Sequence, residues 1–134
     1  MFEGESVKIL LDTHILIWML MDSPLLSRDA RALLASPESE MYYSSVSIAE
    51  ISIKHKVHPE EMVLSGVEAA EVIPELGCTT LDFKPKHAAT LDSLPLHHRD
   101  PFDRMLLAQA KAEGMKLLSH DGRFPAYGDF VIMV

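Results

Sequence analysis

The sequence predicts an α/β fold, with a central parallel sheet wrapped by helices into three layers. Three observations carry the prediction. Short apolar runs containing branched residues alternate along the chain with segments of helical spacing. The length of 134 residues suits a single domain, 1–134, and a chain near that size buries roughly 70% of its unfolded surface. The composition, 48% hydrophobic and 24% charged, is that of an ordinary globular protein and excludes a low-complexity array.

Val7 to Leu11 is a short apolar run with β-branched members and reads as a buried strand. Thr13 is placed to cap the next segment, and Ile15 to Met21 reads as a helix apolar on nearly every side, expected to be buried inside the monomer, with part of its surface held against a partner as the alternative. Ser27 caps a second helix, with Ala30, Leu33 and Leu34 at helical spacing. Met41 to Ser44 is a strand, and Ser44 or Ser45 opens a helix running to about Val57. Gly66 to Glu75 is a helix ended near Gly77; Cys78 to Leu81 is a strand and Pro85 to Leu91 a short helix. Leu94 to Asp100, the least regular stretch, reads as a surface loop. Asp100-Pro101 is an N-cap followed by proline at the first helical position, and this helix runs to Glu113 and stops at Gly114. Lys116 to Leu118 and Phe130 to Met133 are the last strands, and no repeat or linker divides the chain.

Twelve Lys and Arg against twenty Asp and Glu leave a net charge of −8. Such a protein does not grip nucleic acid through clustered basic residues, although a bound cation reverses the sign of a site locally. The single cysteine, Cys78, excludes a disulfide framework and a cysteine-based zinc site. Seven histidines include the pairs His97-His98 and His55/His58, but none forms His-Glu-x-x-His, and no zinc is expected. A glycine-rich phosphate loop and a Gly-x-Ser-x-Gly elbow are both missing from the sequence. The longest apolar run, Ile15 to Met21, falls far short of the ~20 residues of a membrane span. The acidic opening Met-Phe-Glu-Gly-Glu-Ser does not read as a signal peptide, so a cytoplasmic location is expected.

Ligands of such sheets bind beyond the carboxyl ends of strands, where the strand order reverses. Asp12 follows the first strand and Asp121 follows Lys116–Leu118. Glu50 lies one to two turns into the helix after Met41–Ser44, and Asp103 lies in the first turn of the helix before Lys116–Leu118. Topology can gather the four at one edge. Each also has a plainer reading. Asp12 can cap a helix, Glu50 can form an exposed pair with Lys54, and Asp121 before Gly122 can be a turn residue. Asp100 can be a cap that also pairs with Arg104. Asp103 shares a helix face with Leu106, Leu107 and Ala110, where a carboxylate is costly unless something pairs with it, although a first-turn acid is also favoured by the helix dipole.

The acids stand in four ordered words: Leu10-Leu11-Asp12-Thr13-His14, Ser47-Ile48-Ala49-Glu50-Ile51, His98-Arg99-Asp100-Pro101-Phe102-Asp103-Arg104-Met105-Leu106-Leu107-Ala108-Gln109-Ala110 and Ser119-His120-Asp121-Gly122-Arg123-Phe124. Together they resemble the PIN-domain family, most closely the VapC-like toxins of bacterial toxin–antitoxin systems. The resemblance spans essentially the whole chain. It implies a three-layer α/β/α fold and an acidic site that binds Mg²⁺ or Mn²⁺ and hydrolyses RNA phosphodiesters. On this resemblance the metal and catalytic acids are Asp12, Glu50, Asp103 and Asp121, with Asp100 kept as a helix cap. It further implies a homodimer blocked by a cognate antitoxin that lays a segment into a groove near the acids. One departure is His14, where many members carry Asn.

Hard, hydrated Mg²⁺ suits one or two carboxylates plus water and phosphate oxygens, and lowers the pKa of a coordinated water. Arg99 and Arg104 beside the third acid, and Lys54 and Lys56 beside Glu50, are candidate phosphate contacts; the alternative for each is solvated surface or an ion pair. No histidine pair is recognisably placed for acid–base transfer through a cyclic phosphate. Three rival readings stand beside this one. A receiver-like signalling domain wants an acidic pair after the first strand and a late lysine, neither of which is here, and a haloacid-dehalogenase-like phosphatase wants Asp-x-Asp, which Asp12-Thr13-His14 is not. A catalytically inert PIN-like interaction module keeps the fold without the chemistry, and retention of all four acids counts against it.

Overall fold

The computed structural model describes residues 6–134; the acidic opening, residues 1–5, lies outside the described residues. The chain runs β1 (Val7–Leu11), α1 (Thr13–Leu20), α2 (Arg28–Ala35), β2 (Ser39–Ser44), α3 (Ser45–Val57) and α4 (Gly66–Val72). It continues through β3 (Thr79–Leu81), α5 (Pro85–Thr90), α6 (Pro101–Glu113), β4 (Lys116–Ser119) and β5 (Val131–Met133). Every paired strand is parallel and the order is β3-β2-β1-β4-β5. The α/β prediction is therefore met, with β1 in the centre. The chain winds outward from β1 to β3, crosses back, and lays β4 on the other side of β1. That reversal makes the β1/β4 seam the point where a crevice opens beyond the strand ends.

The two faces of the sheet bury separate cores, as alternation along a strand requires. Ile9 and Leu11 of β1 pack with Ile15, Leu16, Ala30, Ile51, Ala69 and Ile73 from α1 to α4 and the turn after it. Leu10, between them, packs on the opposite side with Leu106, Leu107 and Ala110 of α6, Leu117 and Phe124. Gln109 is the polar member on that side and is fully buried. Its side-chain amide donates towards the carbonyls of Leu81 and Asp82, and its oxygen accepts from the Ser44 hydroxyl. It thus ties α6 to the ends of β2 and β3.

Several local expectations are corrected. The N-cap of α1 is Asp12, in extended conformation, and Thr13 is already helical; β1 runs to Leu11, so the turn has no residue to spare. The helix from Gly66 stops being α-helical at Val72 and tightens to a 3₁₀ turn, Ile73–Leu76, because Pro74 has no N–H for an i→i−4 bond. Gly77 then closes it at φ 85°, in the left-handed region. The stretch Leu94 to Asp100 is a loop, but Leu94 and His98 within it are buried. The apolar α1 is not wholly buried: Ile15 and Leu16 are covered, whereas Ile17, Trp18, Met19 and Leu20 are only partly so and Met21 is 70% exposed. Among the described residues, no helix is long and apolar enough to cross a membrane.

Candidate functional site

Asp12 stands at the top of the seam. Its N–H still donates to Leu118 of β4, at 3.1 Å, while its carbonyl accepts from Leu16 in the first turn of α1. Its side chain makes no cap bond. One carboxylate oxygen, Oδ2, instead accepts from the Ser119 hydroxyl at 2.8 Å. The Ser119 oxygen in turn accepts the Asp121 N–H at 3.0 Å. Ser119, which the sequence reading passed over, therefore joins the ends of β1 and β4 and holds two of the acids. Beside it, the Thr13 and Ser47 hydroxyls share a buried hydrogen bond of 2.8 Å that locks α1 to α3.

Ser47 lies one turn before Glu50, which is directed inward with its side chain only 2% exposed. One carboxylate oxygen, Oε2, is paired with Lys54; the other, Oε1, is buried with no hydrogen-bond partner. The Glu50–Lys54 pair anticipated from the sequence thus forms, but not as an exposed one. Asp100 caps α6, accepting the N–H groups of Phe102 and Asp103 at 2.9 and 3.2 Å. That cap presents Asp103 from the first turn. The Asp103 carboxylate faces His98 Nε2 at 3.4 Å and Arg123 at 3.9 Å. His98 accepts or donates through Nδ1 to the Tyr127 hydroxyl, and its Nε2 is buried without a hydrogen-bond partner.

Asp12, Glu50, Asp103 and Asp121 line one cavity of about 290 Å³, together with Asp100, Lys54 and Arg123. His14, Trp18 and His120 complete its wall. Arg99 and Lys56 are exposed and are not among its lining residues. Arg104 is not among them either, nor is it paired with Asp100: its guanidinium donates to the carbonyls of Pro95 and Leu94 and to the Tyr127 hydroxyl. It pins the loop ahead of α6. Arg123, which the sequence did not single out, is the arginine that reaches the acids, clasping both oxygens of Asp121. His14, for which a place at the mouth of the site and a packing role were both open, lines the cavity, and His120 joins it there because β4 lies against α1.

Crowding sets the protonation of the cluster. Burial raises the Asp12 carboxyl, and the Ser119 hydrogen bond only partly offsets it. Asp103 is pushed up to about 7, first by burial and then by the negative charges of Asp12, Asp100, Glu50 and Asp121. Asp121 moves the other way, to about 2, because Arg123 hydrogen-bonds its charged form. For Lys54, burial favours the neutral amine, but the Glu50 hydrogen bond and nearby acids outweigh it and raise the pKa.

An acid held near neutrality and a buried carboxylate oxygen with no partner are marks of a cluster short of positive charge, and the oxygen-only donor set fits a hard divalent cation. Among the described residues, the ligand atoms that already lie within 4.8 Å of one another are those of exposed His58, Glu60 and Glu61 rather than the cavity acids. Wider spacing does not oppose the fit, since Mg²⁺ keeps several waters and needs few direct carboxylates.

The chain matches the family profile described as PIN domain over residues 9–129. It belongs to the PIN-domain family. No curated protein sequence matches it. Solved structures do, and they show the same PIN-domain fold. VapBC2 from Rickettsia felis, bound to a DNA fragment from its promoter, aligns with a TM-score of 0.69 at 16% identity, over 96% of this chain and 98% of that one. DNA-bound VapBC from Salmonella typhimurium aligns at 0.66 and 18%, over 96% and 97%. FitAcB from Neisseria gonorrhoeae aligns at 0.63 and 21%, over 92% and 96%.

Proposed function

We propose that this PIN domain is a Mg²⁺- or Mn²⁺-dependent endoribonuclease acting as the toxin of a toxin–antitoxin pair. The observation that carries the reading is the convergence of Asp12, Glu50 and Asp103 on one cavity at the β1/β4 seam, with Asp103 pushed to about 7 and Glu50 Oε1 unpartnered. Asp12, Glu50 and Asp103 would hold the cation, with Asp121 in support because Arg123 occupies its oxygens. A bound cation of this kind supplies Lewis acidity towards phosphate and acidifies water. Ser119 fixes the orientation of Asp12, and Asp100 fixes that of the α6 terminus bearing Asp103. Lys54 and Arg123, on the cavity wall, offset negative charge on the bound phosphate. Water is the nucleophile in this reading, and in-line attack leaves a 5′-phosphate and a 3′-hydroxyl.

An apolar groove of about 860 Å³ adjoins the acids and shares His14 and Trp18 with their cavity. Ile17, Leu20, Met21, Met62 and Leu64 border it. The solved relatives include a toxin–antitoxin complex from Klebsiella pneumoniae and DNA-bound VapBC. By that likeness the groove is the seat of an antitoxin segment, which there would stand at the mouth of the acid cavity. A homodimer in the cytoplasm belongs to the same reading.

Purified protein free of antitoxin is expected to cut a few sites in total RNA with Mg²⁺ or Mn²⁺ and none in EDTA, leaving 5′-phosphates. His14 and His120 on the wall support one rival, attack by the ribose 2′-hydroxyl with histidine acid–base transfer. Cleavage that survives EDTA and leaves 2′,3′-cyclic phosphates would establish that rival. Binding across a broad RNA pool without cutting, at every metal tested, would leave an inert module.

A further inference from the structure

Part of the wall of the acid cavity is aromatic. His14 and Trp18 stand one turn apart on α1 and share a face, with ring centroids 6.1 Å apart. His120, just beyond β4, meets Trp18 edge-on at 5.3 Å, and its Nδ1 is engaged by the Val134 carbonyl. The Trp18 ring is only partly covered and both histidines are exposed. Trp18 packs in part against the core and also lines the cavity, while the two imidazoles belong to the wall.

We propose that Trp18, flanked by His14 and His120, seats one unpaired nucleobase beside the scissile phosphate, so that the site takes single-stranded RNA or a nucleotide splayed from a loop. The inference rests on the nuclease reading above and adds the substrate class. A phosphate drawn to the acids brings its own sugar and base within reach of the rings that line the same cavity. At about 290 Å³ the cavity lies at the small end of ligand pockets, ~300–1,000 Å³, and admits one nucleotide rather than a paired stack. Every base offers a π-face to an aromatic ring, whereas its hydrogen-bonding edge is free only when unpaired. The imidazoles add polar edges beside the ring, which an apolar peptide segment would leave unused.

Trp18 is the one tryptophan of the chain, so its fluorescence reports on this wall and on the groove it borders. The test uses Asp103→Asn protein in Mg²⁺, which should bind RNA without cutting it. An unpaired RNA oligonucleotide, its duplex and an abasic chain of the same length are titrated, following fluorescence and anisotropy together. Unpaired RNA is expected to quench Trp18, and the duplex and abasic chain to bind without quenching. Trp18→Leu in the same background should weaken binding of the unpaired RNA at least about fivefold, with Trp18→Phe restoring most of it. Binding of unpaired RNA without quenching, equal quenching by the duplex or abasic chain, or equal affinity in folded Trp18→Leu each overturns the base seat alone. Quenching by an amphipathic peptide and not by bound RNA also overturns it. RNA that binds neither this variant nor the wild type in Mg²⁺ overturns the nuclease reading as well.

Discussion

Asp100 and Asp103 share the first turn of α6, yet their oxygens have different partners. Asp100 satisfies two backbone N–H groups, while Asp103 faces other carboxylates. Asp103→Asn is expected to lower cleavage by at least a hundredfold, nearly 3 kcal/mol of barrier, with little loss of stability. Asp100→Ala should cost about 1 kcal/mol of stability as a lost cap and keep much of the activity. Cleavage rates and urea midpoints for both variants check the assignment; the opposite order of activities in folded protein would exchange the two roles. Asp12 tests the cation directly. Millimolar Mn²⁺ should raise the melting temperature, because it binds only the folded state, and should raise it less in Asp12→Asn. No shift in the wild type would remove the metal centre.

At the scale of elements, α6 and the α3–α4 pair carry distinct constraints. Gln109 is buried against Ser44, Leu81 and Asp82. Gln109→Leu strands those groups without partners, and a loss of about 1–3 kcal/mol in urea unfolding is expected. A neutral result would mean that water satisfies them. Where α4 begins, Gly66 lies so close to α3 that an added Cβ would stand 2.5 Å from Ser52 Cβ. Gly66→Ala should therefore destabilise by about 1–3 kcal/mol, with Ser52→Gly recovering part of it; no loss would show that the helices slide apart freely. The element order was legible in the sequence because strands buried on both faces are short apolar runs set between capped helices. Ser27 capping α2 and Gly114 closing α6 at φ 67° are local chemistry, and both stand as read. Which acids are near in space was legible from their places at strand ends and helix starts and from the four recognisable words. Ser119, Trp18 and Arg123 were not, because their importance depends on β4 lying against β1. No local pattern encodes that pairing.

For the whole molecule, two carboxylates impose opposite pH trends. Glu113 is held down at about 2, below its ordinary 4.5, by hydrogen bonds from Lys86 and His87. Its contribution is present above pH 4.5 and is lost as the pH falls towards 2. Asp103, raised from 3.8 to about 7, keeps in the fold a proton that the unfolded chain has released. Its trend is a loss of stability as pH climbs through that interval. In EDTA, the urea midpoint is expected to peak at about pH 4–5, and Mg²⁺ should move the peak towards neutrality. A midpoint in EDTA that climbs steadily from pH 5 to 7 would show that Asp103 ionises without penalty. Glu113→Gln should make the acid limb shallower, the remainder belonging to Asp121, and leave the limb above pH 5 unchanged.

The hydrogen bond between Ser119 and Asp12 joins residues 107 apart in the chain. A growing polypeptide acquires Asp12 and Glu50 long before the strand that faces them, and closing so large a loop is slow. During synthesis the half-built crevice lacks β4, Ser119, Asp121 and Arg123 together. Chains released after residue 114, which keep Asp103 but lack β4, should therefore leave RNA intact, and cleavage by them would show that the seam is dispensable. On the proposed activity, a ribosome making this protein is thus spared its product until nearly the last strand has emerged.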